Sequence, residues 1–326
     1  MTARRDGFES RCHKLRGIPA TFSSAILAAL GAAMCFAIAA VFQQESAQLV
    51  EEDKSLSVGL LTDLVHRPRW LAGGAFLLAG YGLQAVGLAF GPIALVQPIV
   101  VLELAFAIPL WIWRKHRHSS WREWAGIVCV VGGIALFLLI ASPAGGSPTA
   151  PAGEWVASLV PVGGVAFVAV ALGARSKGPH KAMLFGTAAG LAFGVLSVLT
   201  KATTYLLSRD VTGAFLNGQP YAAIGVGIVA HVVSQSAYQA GPLSYSMPFV
   251  GVLEPTVAVI IGDIVLREQI ELSAGLLAAE CLAAVIAALG IVLLTASPIV
   301  HSIYEQTGHP AGGARPAESL GGGAGG

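Results

Sequence analysis

Apolar residues run along this chain in blocks of about 20, parted by short polar or Gly- and Pro-rich stretches. A helix of that length spans the ~30 Å hydrocarbon layer of a bilayer, at 1.5 Å per residue. The blocks predict nine helices, at roughly 21–43, 69–90, 92–113, 122–141, 154–173, 182–207, 219–240, 242–266 and 272–295. Polar and apolar positions do not alternate within them, which excludes a membrane barrel. Lipid offers no partner to an unpaired backbone group, so the spanning structure must be helical. The expected fold is an all-α, polytopic membrane protein.

Polar interruptions divide the chain. Residues 1–20 form a basic tail carrying Arg4, Arg5, Arg11, Lys14 and Arg16. The apolar block after it is too long for a signal-peptide core and reads as the first span. Residues 44–68 carry Glu45, Glu51, Glu52, Asp53, Lys54 and Asp63, and 56–66 fit an amphipathic helix lying at the interface. Residues 142–153 are a Ser/Pro/Gly linker, and 296–326 are a Gly/Pro/Ala-rich tail expected to be disordered. The first transmembrane repeat is then 21–141, and 154–295 hold an extra span and a second repeat.

One polar-bearing stretch occurs twice. Gly91-Pro92-Ile93-Ala94-Leu95-Val96-Gln97-Pro98 leads on to Leu102-Glu103, and Gly241-Pro242-Leu243-Ser244-Tyr245-Ser246-Met247-Pro248 leads on to Leu253-Glu254-Pro255. The second proline follows the first by six residues in both copies. Copy two has one extra residue between its second proline and its glutamate. Further upstream, Ala29–Ala47 aligns with Ala188–Leu206, sharing Ala29/Ala188 and Gly31/Gly190. Spans one to four thus match spans six to nine. The odd fifth span starts the second copy from the opposite face, which predicts two inverted repeats with a site near the midplane between them.

Charge sets an orientation. Lys54, Arg67 and Arg69 lie in or beside the first connection, Arg114, Lys115, Arg117 and Arg122 the third, and Arg175, Lys177 and Lys181 the fifth. The alternate connections hold only Arg209 and Arg267. The positive-inside bias puts the N-terminus outside and the C-terminus in the cytoplasm; the basic N-terminal tail opposes this.

Composition removes other classes. Of 326 residues, 55% are hydrophobic and 11% charged, against about 25% charged in soluble domains, which leaves no room for a separate soluble domain. No basic stripe with interleaved aromatics serves a nucleic acid. Cys12, Cys35, Cys129 and Cys281 form no Cys-x-x-Cys pair, so neither a disulfide framework nor a zinc site is expected. There is no His-Glu-x-x-His, Gly-x-Ser-x-Gly or phosphate-binding Gly-x-x-x-x-Gly-Lys. Neither enzyme activity nor a cofactor is expected.

Glu103 and Glu254 fall near the centres of the third and eighth blocks. A carboxylate at mid-bilayer costs roughly 2.5–3.5 kcal/mol on insertion scales and faces protein or water. Each is either a proton or cation site or a neutral acid bonded between helices as structural glue. Pro92, Pro98, Pro242, Pro248 and Pro255 remove backbone donors and are expected to kink their helices, lining a path or only serving packing. Ser197, Thr200, Lys201 and Thr204 share one helical face, as do His231, Gln235, Tyr238 and Gln239. Lys201 either pairs with a carboxylate or snorkels to the interface; His231 lines a path or is a hydrogen-bonded core residue. Gln43, Gln44, Tyr81, Gln84 and Gln97 either replace solute hydration or bond across helices. Glu280 is a further candidate for the cavity, and Asp263 is expected to pair with Arg267 at i+4. Trp111 and Trp113 fit an interfacial aromatic belt. No metal site is assigned; Glu103 and Glu254 are the ligands on offer if the solute is a divalent cation.

The doubled motif, the loops after it, the block with Gly126 and Gly132-Gly133, and the turn Leu266-Arg267-Glu268 together resemble the drug/metabolite transporter superfamily, the EamA-like carriers. That pattern closes the acid-bearing helix with a Leu-Gly-Glu-Arg-like turn; copy two has Leu-Arg-Glu, and copy one has a basic, His-rich loop. Typical members have one helix more than the nine counted here. The count, and Leu95-Val96-Gln97-Pro98, resemble the NIPA-type magnesium-transporter branch. The resemblance implies a secondary transporter of a small solute working by alternating access, with magnesium or another divalent cation as the next reading. A structural membrane protein that transports nothing and an intramembrane enzyme compete with it. The Arg-over-Lys, Ala- and Gly-rich composition points to a bacterial, high-GC source and so to the plasma membrane. The expected partners are the bilayer and a small solute or ion, and a homodimer is left open.

Overall fold

The structure, a computed structural model, describes residues 20–47, 66–114, 120–141, 150–241, 243–268 and 274–295. All regular structure among them is helical: α1 Ala20–Ala47, α2 Pro68–Phe90, α3 Ile93–Val100, α4 Glu103–Arg114, α5 Trp121–Ala141, α6 Ala152–Arg175, α7 Gly178–Arg209, α8 Val211–Ala214, α9 Gln219–Ala240, α10 Leu243–Leu266 and α11 Ala274–Thr295. Each predicted block falls on a helix, but the third is divided into α3 and α4. The predicted interfacial helix at 56–66, the 142–153 linker and the two tails lie wholly or largely outside the described residues.

Among the described residues, seven stretches are long and apolar enough to cross a membrane: Phe22–Gln43, Pro68–Phe90, Ile93–Arg114, Trp121–Ile140, Ala152–Arg175, Gly178–Arg209 and Tyr245–Leu266. The protein is thus a polytopic helical membrane protein. Two predicted blocks are not among the seven. On α9, His231, Ser234, Gln235, Ser236 and Gln239 dilute the apolar character. On α11 the apolar stretch among the described residues is shorter, Ala278–Leu294.

Local sequence sets the helix ends. Pro68 starts α2, where its missing N–H costs nothing. At α5 the Ser120 hydroxyl accepts from Arg122 N at 3.2 Å, and Glu123 accepts from Ser120 N at 2.5 Å, a reciprocal capping box. Trp113 and Trp121 flank this connection and are about three-quarters exposed, as belt residues at a membrane interface are.

α7 is the central helix, packed by α6, α9 and α10, while α1 packs on α2 and against α3 and α4, and α5 pairs with α11. Small residues make the close crossings. A Cβ on Gly190 would meet Phe249 O at 2.9 Å, and one on Gly133 would meet Ala287 N at 2.6 Å. Gly74, Gly82 and Gly132 meet nothing within 4 Å, so only part of the glycine-rich pattern serves packing. On the outside, α6 turns Val160, Phe167 and Val168 outward, an apolar face suited to lipid.

The prolines act unequally. Pro92 precedes α3 as its N-cap and kinks nothing. Pro98 lies inside α3, and the helix stops two residues later, at Val100. Pro248 and Pro255 lie inside α10, which continues through both; Pro242 is outside the described residues. The expected Asp263–Arg267 pair is replaced: α10 ends at Leu266, Arg267 adopts φ 51°, and its guanidinium donates to Glu154 Oε1 at 2.8 Å. The i+4 geometry needs a helix that no longer exists there.

Candidate functional site: a cavity between two carboxylates

The break between α3 and α4 positions the first acid. Pro98 has no N–H to offer the carbonyl of Ala94. The chain tightens after it, with Leu102 N donating to Ile99 O at 3.0 Å and Leu104 N to Val101 O at 3.2 Å, both i→i+3 bonds. The helix restarts at Glu103, placing that carboxylate in the first turn of α4, where the helix dipole favours negative charge. The second acid, Glu254, lies in the middle of the unbroken α10, directly before Pro255.

Both acids line one cavity of about 70 Å³, together with Gln43, Tyr81, Gln84, His231, Ser234, Gln235 and Tyr238 and the apolar Phe36, Leu77, Phe193 and Met247. That is room for a few waters or a partly hydrated ion. The two carboxylates are within electrostatic reach of each other and of both tyrosines. Gln235 Nε2 donates to Gln43 Oε1 at 3.0 Å, bridging α9 and α1. Gln84 Nε2 approaches Ser197 Oγ at 3.5 Å. Gln43 Nε2 and Gln235 Oε1 are buried with no hydrogen-bond partner among the described residues. Each such group costs roughly 1–3 kcal/mol, a cost that a bound solute or water removes. The rings form a wall: Phe36 meets Tyr81 edge-on at 5.1 Å, and Phe193 meets His231 edge-on at 5.6 Å. Among the described residues no Lys or Arg lines the cavity, and His231 is its one basic side chain.

Of the candidate residues, Glu103, Glu254, Gln84, His231 and Gln235 line this one cavity. Gln97, Lys201, Thr200 and Glu280 do not. Thr200 Oγ1 donates to its own helix at Leu196 O, 2.8 Å away. Gln97 is 1% exposed, and neither amide atom has a partner among the described residues. Glu280 is buried on α11 outside the lining. Lys201 forms an ion pair with Glu268 and donates to Gly91 O at 3.0 Å. Glu268 in turn accepts from Ile93 N at 2.8 and 3.0 Å and from Ala94 N at 3.4 Å.

Sequence reasoning missed Glu268, read only as part of a connecting turn, and missed Ser234, Phe36 and Phe193 as lining. Ser234 sits i+3 from His231, so the α9 stripe contained its signal. The two phenylalanines lie in apolar blocks where no local pattern separates a cavity wall from a core.

These helices and this site define a polytopic membrane protein with an acid-bearing cavity between its helices. The chain belongs to one family with an uncharacterized protein of Corynebacterium glutamicum, to which it is 31% identical over 258 residues, 76% of this chain and 86% of the relative. No family model matches the chain, and no solved structure does.

Proposed function

We propose that this protein is a secondary transporter of the drug/metabolite type, moving a small solute across the plasma membrane by alternating access between two inverted halves. The observation that carries the reading is the convergence of Glu103 and Glu254, one from each copy of the repeated motif, on a single cavity. A scaffold needs no such convergence. The helix packing supports the two-half arrangement. α1 pairs with α2 and packs on α3 and α4, as α7 pairs with α9 and packs on α10; α5 and α11, the last spans of the two copies, pair with each other. Nine spans with the N-terminus outside follow from the same reading and from the basic connections.

Two acids facing one space repel when both are ionised, and among the described residues no Lys or Arg lines the cavity to offset them; His231 is the one basic group there. A cation completes the site, a proton being the smallest. This favours a cationic or proton-coupled solute over an anion. Magnesium transport is the second reading. Mg²⁺ keeps several waters and is bound through one or two carboxylates, and two carboxylates are what the cavity offers. No cluster of three or more His, Cys, Asp or Glu side chains that could hold a metal occurs among the described residues, so a fully dehydrated metal is not what this cavity suits.

The test is flux through purified protein in liposomes, with a panel of amines, amino acids, sugars and Mg²⁺, with and without a proton gradient. Accumulation of one class, driven by the gradient or by its own concentration, is expected. No flux of any member above empty liposomes would favour the structural membrane protein.

A further inference from the structure

Given the transport reading above, we infer that Lys201 and Glu268 form a gate that closes one end of the path over the Glu103/Glu254 cavity. The ion pair and its satellites lie at one end of α2, α3 and α10, beside α7 about two turns before that helix ends at Arg209. Lys201 is eight residues past the cavity-lining Phe193 on α7, and Leu266, the last residue of α10, is twelve past Glu254. At 1.5 Å per residue these offsets are about 12 and 18 Å. Gly91 is seven residues past Gln84 at the end of α2, and Ile93 is seven before Val100 at the start of α3, each about 10 Å away. All four helices place the cluster to the same side of the cavity.

The contacts join separate elements beside the apolar core that holds Ile93, Val198, Ala202 and Leu266. Lys201 comes from α7, while Gly91 and Ile93 flank the junction between α2 and α3, where the backbone leaves the helical ladder. Glu268 lies past the end of α10, held by Arg267 in the left-handed region, a conformation non-glycine residues adopt rarely and most often at functional positions. A buried ion pair adds little net stability against apolar packing; both charges regain water when the pair opens at a bundle end. The groups beneath it are polar. Ser197, one turn inside Lys201, meets Gln84, and Gln97, one turn inside Ile93, is buried with its amide unpartnered. An open gate gives that amide water.

The experiment places a single cysteine at Ser197, a near-isosteric and buried position, in a background without the four native cysteines. A small membrane-impermeant thiol reagent is added to either face in turn. Asp263→Cys, exposed near the end of α10, marks the face on which Glu268 lies. With the gate intact, labelling of Ser197→Cys from that face is slow. Glu268→Gln keeps an acceptor for Ile93 N but removes the charge, and Lys201→Met removes the other partner. Each should raise labelling from that face about ten-fold, the change expected on losing a charge-assisted hydrogen bond, and Lys201→Arg should not. If either neutral variant melts like the parent and labels at the parent rate, the gate is refuted. The outcomes separate from those of the transport reading. Unchanged flux in both neutral variants of a transporting protein also refutes the gate alone. Raised labelling in a chain that moves no solute leaves the gate standing and refutes transport.

Discussion

The two copies of the Gly-Pro…Pro…Leu-Glu motif adopt different structures. In copy one the helix stops at Val100 and restarts at Glu103; in copy two it runs unbroken from Leu243 to Leu266 through two prolines. A missing N–H therefore does not by itself end a membrane helix, because neighbours can hold the freed backbone. In copy two the neighbour is α7, whose Gly186, Gly190 and Gly194 let the α10 backbone approach until a Cβ there would lie within 3 Å of Ser246 O, Phe249 O and Glu254 O. In copy one the aligned Gly31 faces Leu83 of α2 instead, and α3 has no such clamp. The break also has a use. Copy one has one residue fewer between proline and glutamate, and one residue turns a regular helix by about 100°. The irregular turn at Val101–Leu102 takes up that difference, and both acids reach one cavity.

The contrast can be broken most severely at Pro98. Pro98→Ala restores the donor that Ala94 O lacks and favours a continuous helix through Leu102, which turns Glu103 off the cavity. Flux in liposomes should fall ten-fold or more while the melting temperature holds or rises, since an interior proline costs ~3 kcal/mol in a regular helix. Pro255→Ala, in a helix already continuous, should leave flux within about two-fold. Equal losses in both would mean the break does not position Glu103.

A smaller effect is expected on the clamp itself. Gly190→Leu drives a side chain into the α10 backbone and should destabilise by about 1–3 kcal/mol or more, read as a lower melting temperature in detergent. Gly132→Leu, with nothing within 4 Å, should melt within about 0.5 kcal/mol of the parent. The smallest contrast separates the two polar stripes. A cysteine at Gln235, which lines the cavity, should react with a small aqueous thiol reagent several-fold faster than one at Thr200, which does not. Equal rates would mean that the cavity walls do not distinguish the stripes.

The fold class was legible because the bilayer imposes a length and an apolar composition on every span, and each block became a helix. The division of the third span was not, since Pro98 and Pro255 look alike in sequence and differ only in what packs against them. Glu103 and Glu254 were legible as charges without local partners. The α9 stripe was legible in part: His231, Gln235 and Tyr238 repeat at helical spacing and line the cavity, whereas Gln239, the fourth residue of that face, does not. Lys201 and Thr200 form an equally regular stripe on α7, yet Lys201 is drawn to Glu268, 67 residues away, and Thr200 bonds to its own helix. A helical period reveals a shared face but not its partner. Gln97 lay inside the motif and is buried outside the lining, although it sits i+3 from Val100, which lines the cavity.

The most direct measurement replaces each acid by its amide. Glu103→Gln and Glu254→Gln keep size and hydrogen bonding but remove the titratable charge. If the carboxylates bind a proton or cation during the cycle, either change should abolish gradient-driven flux in liposomes while expression and melting temperature stay near the parent. If they are neutral acids that only join the two halves, Gln is nearly isosteric and tolerated. Parent-rate, gradient-driven flux in both variants would contradict the account and leave the doubled motif as packing between two halves.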